Sequence, residues 1–131
     1  MGAWGTGSFE NDDAADWVAG LGAITPVELT KILVRSADDP EYLEGPAAYV
    51  TVAAGEVVAA LKGAPGTGAP AAIVEWARRH PQALTPELAA LAGRAVDRVR
   101  RNSELKDLWM QADGLNEWIA AIGELQGRLE G

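Results

Sequence analysis

The amino-acid sequence predicts an all-α fold, a single compact orthogonal bundle of about six helices. Apolar residues recur at intervals of three and four in successive segments, as on the buried face of a helix. Threonine and proline open two of these segments, at 25–28 and 85–87, and no segment alternates apolar and polar residues as a strand does. With 131 residues, 48% of them hydrophobic, residues 1–131 are expected to form one domain with its own core.

The opening residues 1–10 predict a glycine-rich N-terminal arm packed on the bundle. Its glycines free the backbone, and Trp4 and Phe9 have no helical or strand period to place them. Tertiary contacts must therefore place these two side chains. We expect Trp4 to be mostly buried, either near Trp17 of the first helix or near Trp109 and Trp118.

The central helix is expected at residues 46–62, the most apolar part of the chain. Alanines and valines dominate it, Gly63 closes it, and Glu56 is the one charged side chain between Glu44 and Lys62. This segment is too short and too interrupted to span a membrane. The glycine- and proline-rich residues 63–70 that follow predict an internal loop.

The other helices are predicted from start signals followed by apolar residues at helical spacing. Residues 11–13 cap the first helix, Thr25 and the following proline open a second that reaches about residue 37, and 39–45 forms a short turn or helical stub. Further helices are expected at 70–79, 85–101, 103–112 and 116–129. The last has the cleanest period, with Glu124 and Arg128 one turn apart on its outer face.

Charge is unevenly distributed along the chain. The net charge is −8, residues 1–45 carry nine acids and two bases, and residues 78–106 carry seven bases and three acids. Such a balance argues against binding to nucleic acid. Arg94, Arg98 and Arg101 line one face of their helix. We interpret this basic stripe either as a solvated face or as a docking surface, whose ligand would be Glu56, the N-terminal acids or an external anion.

Residues for catalysis or phosphate binding are hard to find. The chain has no cysteine, and its single histidine, His80, lies in a loop before a proline. The opening glycines lack the Lys-Ser/Thr of a phosphate loop and have no strand before them. We therefore predict no catalytic residue and no cofactor.

The acidic residues leave the binding of a divalent cation as an open alternative. Asp12 and Asp16 lie one turn apart on one helix face, and hard cations prefer oxygen ligands. Together with Glu56 they are the candidate metal ligands. Helix capping and solubility are the favoured interpretation, because the segment lacks the glycine-centred alternation of a calcium loop.

Glu56 has two interpretations. Either its helix face is exposed, or the carboxylate is buried and must be paired, because an unpaired buried charge is very costly. If it is buried, the arginines of 94–101 are the expected partners, because they form the densest basic stripe in the chain.

The string GAWGTG-x-F-x-NDDA-x-DW resembles the opening signature of a bacterial family catalogued as domain of unknown function 4259. Similarity continues through AAGEVVAAL at 53–61 and SELKDLW at 103–109, so it covers most of the chain. The resemblance implies a bacterial protein of this size and supplies no activity, ligand or catalytic residue.

Three functions remain open. A non-catalytic interaction or regulatory protein is favoured, in which Trp4, Phe9, Trp17, Glu56, Trp109 and the arginine stripe are structural or interaction residues. A protein or enzyme that binds a small molecule or divalent cation through Asp12, Asp16 and Glu56 is the alternative, and an acidic inhibitor of a basic protein, as in immunity pairs, is the third. We expect a cytoplasmic protein, because no signal peptide opens the sequence. It is expected to be a monomer or homodimer that binds a protein partner and neither a membrane nor nucleic acid.

Overall fold

Seven α-helices make up the fold in the computed structural model, which describes residues 5–39 and 41–130. Within these ranges there is no β-sheet, and two short 3-10 turns, Leu21–Ala23 and Pro81–Ala83, accompany the helices. The all-α prediction is confirmed, and its count of about six helices is close to the seven observed, although not exact. The helices are α1 Asp12–Ala19, α2 Pro26–Asp38, α3 Gly45–Leu61, α4 Ala71–Arg79, α5 Pro86–Arg101, α6 Glu104–Gln111 and α7 Leu115–Glu130.

Side-chain caps start the helices at the residues that the sequence indicates. Asn11 accepts a hydrogen bond from the amide of Ala14 at 2.7 Å and so caps α1. Thr25, Thr85 and Ser103 cap α2, α5 and α6 in the same way. Each cap satisfies an amide that has no partner within its helix.

The helix α3 lies at the centre of the fold and packs against each of the other six helices. Nearly all of its residues from Ala48 to Ala59 are buried, as expected for a helix that is apolar on every side. Gly55 allows a close approach to α5, because a Cβ there would lie 2.7 Å from a methyl carbon of Val96. The buried hydrophobic residues of all seven helices form one contiguous core cluster.

The connection between α2 and α3 contains no helical stub in its described residues. Leu43 is buried, whereas Tyr42 is exposed and donates a hydrogen bond to Asp107 of α6. Several backbone groups here bond to α5 and α6. The carbonyls of Asp39 and Glu41 accept hydrogen bonds from Arg98, and the amide of Gly45 donates to Glu104 at 2.6 Å. No described helix is long and apolar enough to cross a membrane.

Candidate functional site

A cleft of about 520 Å³ opens between the N-terminal segment, the connection from α3 to α4, and α7. It brings together residues that are far apart in the sequence, several of them charged. Its walls are formed by Gly7, Ser8, Phe9 and Glu10, by Glu56 of α3, by Gly66, Thr67 and Gly68, and by Ala121, Glu124 and Arg128 of α7.

An ion pair between Glu56 and Arg128 lies at the base of this cleft. The two guanidinium nitrogens Nη1 and Nη2 lie 2.9 and 3.1 Å from the two carboxylate oxygens, in a bidentate arrangement. The side chain of Glu56 is 5% exposed and that of Arg128 is 15% exposed. Of the two interpretations of Glu56, the buried and paired one therefore holds.

The predicted partner of Glu56 was wrong. The arginine comes from α7, and none of the arginines at 94–101 contacts this carboxylate. Arginine density was a poor guide because the α5 arginines already have other partners. Arg128 was predicted on the outer face of the last helix, whereas its long side chain reaches inward past that face.

Arg128 uses all of its donor groups within the chain. Its Nε and Nη2 donate to the Glu124 carboxylate at 2.6 and 2.8 Å, and its Nη1 also donates to the carbonyl of Ala64 at 3.1 Å. The hydrogen bond from Arg128 lowers the pKa of Glu124. Burial alone would lower the pKa of Arg128, but the bonds to Glu124 and Glu56 more than offset it and raise that pKa.

Ser8 fastens the N-terminal segment to this ion pair. Its hydroxyl donates to the Glu56 carboxylate at 2.6 Å, across 48 residues of sequence. Gly66 allows the α3–α4 connection to pass over the pair, because a Cβ there would lie 3.1 Å from a Glu56 oxygen. We call Ser8, Glu56, Glu124 and Arg128 the Glu56 cluster. It joins the N-terminal segment, α3, the α3–α4 connection and α7.

The candidate metal ligands do not come together. Asp12 and Asp16 are exposed on α1, whereas Glu56 is buried and bound to Arg128. In the described part of the chain, no three histidine or acidic side chains are grouped as metal ligands would be.

The three arginines of the predicted basic stripe have separate surroundings. Arg98 is buried and donates to the carbonyls of Ser36, Asp39, Glu41 and Asn102, so it holds the α2–α3 connection. Arg101 pairs with Asp97 at 2.7 Å, and Arg94 approaches Asp38 only to 4.0 Å. The stripe is thus divided between an interior anchor and two surface side chains.

The predicted aromatic residues lie at the edge of the core. Phe9, Trp17 and Trp109 are partly buried and pack against the core cluster. Trp4, whose burial we predicted, lies outside the described residues.

Ser8 and Arg128 were not predicted as residues of this cleft. A serine in a glycine-rich segment carries no local signal of a distant partner. For Arg128 the one available signal was its spacing of four residues from Glu124, which indicates a pair within the helix and not a bond to α3.

These features define a small all-helical protein whose N-terminal segment is fastened over a buried ion pair. The chain belongs to the family described as "Domain of unknown function (DUF4259)", whose model matches residues 2–121, and the family indicated by the opening signature is thereby confirmed. The matched range includes Ser8 and Glu56 and ends before Glu124 and Arg128. Neither the curated proteins nor the solved structures yielded a match.

Proposed function

We propose that this protein is a non-catalytic interaction or regulatory protein that presents an acidic surface to a basic partner protein. The observation that carries the proposal is the solvent exposure of the acidic residues at 1–45, because eight of these nine residues are exposed. Within the described residues, the 4.0 Å contact between Asp38 and Arg94 is their single ion pair. These carboxylates are therefore available to a cationic partner.

The basic residues of the chain are placed differently and do not cancel this acidic surface. Arg78 and Arg79 pair with Glu75, and Arg100 and Arg101 pair with Asp97. Because each of these two pairs of arginines shares one carboxylate on its own helix, the positive charge of this segment is partly neutralised locally. The attraction between an acidic surface and a basic partner accelerates association, and the same surface repels acidic proteins.

The Glu56 cluster supports a non-catalytic role for the cleft. Both oxygens of Glu56 accept hydrogen bonds from Arg128, and the Ser8 hydroxyl adds another. The hydroxyl of Ser8, the carboxylate of Glu56 and the guanidinium of Arg128 are thus engaged in joining segments of the chain. An acidic inhibitor of a basic protein is the regulatory form of the same proposal.

The setting that we propose is the one expected from the sequence. The protein would act as one domain, with its N-terminal arm packed on an orthogonal bundle. It would do so in the bacterial cytoplasm, because a chain without cysteines needs no oxidising compartment. It would bind its partner as a monomer or homodimer.

The test is co-purification of the tagged protein from bacterial cells at low and high salt, with two neutralised variants. One variant carries Asp12→Asn, Asp13→Asn and Asp16→Asn on α1. The other carries Asp38→Asn, Glu41→Gln and Glu44→Gln at the end of α2 and in the α2–α3 connection. We expect a partner with a pI above about 9 that is retained at low salt, is released at high salt, and is lost from at least one variant.

A matched control removes the same amount of charge elsewhere, through Glu87→Gln, Glu117→Gln and Glu130→Gln, which are exposed on α5 and α7. The control should retain the partner like the parent protein. Retention of a neutral or acidic partner by both test variants, unaffected by salt, would contradict the proposal, as would the absence of a basic partner.

A further inference from the structure

A groove of about 370 Å³ runs between α2 and α3, away from the cleft of the Glu56 cluster. Its volume lies within the range of pockets for small ligands. Its walls are Lys31, Ile32, Arg35 and Ser36 of α2 together with Pro46, Ala47, Val50 and Thr51 of α3.

The interior of the groove is mainly apolar. Ile32, Pro46 and Val50 supply hydrocarbon surface, and no acidic side chain lines it. The hydroxyls of Ser36 and Thr51 are both buried and hydrogen bond to each other, and Thr51 also donates to the carbonyl of Ala47 at 2.7 Å. The polar atoms at the base are therefore satisfied, so the groove offers an apolar ligand a surface without a large desolvation cost.

Lys31 and Arg35 give the groove a positive rim. They are the two basic residues of the acidic segment 1–45, and both border this one groove. In the described chain, each of the other nine bases has an ion pair or a hydrogen bond, whereas these two have neither. They also border a hollow with Asp38 and Asp39, yet they form no ion pair with either.

A positive rim over an apolar interior matches a ligand with an anionic head and a hydrocarbon tail. We propose that the groove between α2 and α3 binds a small amphipathic carboxylate, with its head between Lys31 and Arg35 and its tail along Ile32 and Val50. The charge of the head complements the two cations, and the tail removes the apolar walls from water. This proposal does not rest on the one for a protein partner, although Asp38 of that acidic surface lines the adjoining hollow.

Binding is tested by NMR titration of the full chain with octanoate, and with acetate and octan-1-ol as ligands that keep only the head or only the tail. Octanoate should bind saturably, with shift changes centred on residues 31–36 and 46–51. Acetate and octan-1-ol should each bind at least about tenfold more weakly, because each loses one of the two interactions. Unsaturable shifts spread over the surface, or equal affinity for all three ligands, would overturn the proposal.

Variants separate this groove from unspecific attraction to positive charge. Lys31→Ala with Arg35→Ala should weaken octanoate binding about tenfold, and Ala47→Trp, at an exposed position of the wall, should block the groove. The control, Arg78→Ala with Arg79→Ala, removes two exposed cations from α4 and should bind octanoate like the parent protein. Undiminished binding to the Lys31/Arg35 variant, with a dispersed spectrum showing that it is folded, would also overturn the proposal.

Discussion

Glu56 is a carboxylate in the most buried helix of the protein, and its stability depends on partners from both ends of the chain. Removing an ion from water costs several kcal/mol, and a pair compensates for this only when its geometry is good and its remaining hydrogen bonds are satisfied. The bidentate bonds from Arg128 and the hydroxyl of Ser8 meet both conditions. Glu56 is therefore expected to contribute to stability only while Arg128 remains in place.

Glu56→Gln should lower the free energy of unfolding by about 3 kcal/mol, because it leaves a largely buried guanidinium with one anionic partner instead of two. The measurement is urea denaturation at neutral pH. Glu124→Gln is the matched control, since it removes a carboxylate from the same arginine at a position where the carboxylate side chain is 61% exposed. That change should cost less than about 1 kcal/mol. Equal stability of the Glu56 variant and the parent protein would show that the buried pair makes no net contribution.

The sequence could predict that a buried Glu56 needs a partner, but it could not identify that partner. The need follows from the physics of burying a charge in an apolar helix. The partner depends on which faces of α3, α5 and α7 meet, and on a side chain long enough to cross from the outer face of α7. Neither property is visible in local spacing.

At the scale of helices, most of the fold follows from local signals. Capping side chains and the periodicity of apolar residues placed the ends of α2, α3 and α5 within a residue or two. The connection before α3 was harder, because its backbone is held by α5 and α6 rather than by its own sequence. Arg98 is the main residue that anchors this connection. Because it lies in an arginine-rich helix, it was interpreted as a surface residue.

Arg98→Lys should destabilise the protein by about 2–4 kcal/mol, because an ammonium group cannot reproduce the planar set of bonds that the guanidinium makes to several carbonyls. It should also speed amide hydrogen exchange in the α2–α3 connection, including the amide of Gly45. Arg94→Lys is the control, since Arg94 lies on the same helix with an exposed side chain and one contact at 4.0 Å. If both variants exchange and unfold alike, Arg98 does not anchor the connection.

At the scale of the whole molecule, sequence and structure give different pictures of the charge. The sequence shows an acidic N-terminal third and a basic segment at 78–106, which suggests two faces of opposite sign. In the structure the basic segment is divided. Arg98 faces carbonyls in the interior, and four of the remaining arginines pair with acids one turn away. Composition predicted the net charge, but the local pairing that weakens the positive face appears only once the side chains are placed.

The same distribution predicts no appreciable binding to duplex DNA at physiological salt. A protein gains affinity for DNA by neutralising phosphates with free cations, and the net charge of −8 opposes the approach of a polyanion. The measurement is fluorescence anisotropy of a labelled duplex, repeated at several salt concentrations. As a positive comparison, Glu75→Gln with Asp97→Asn frees Arg78, Arg79, Arg100 and Arg101 from their partners and should increase affinity at low salt. Micromolar binding by the parent protein that falls steeply with salt would show instead that the arginines of 78–106 form a nucleic-acid surface despite their local ion pairs.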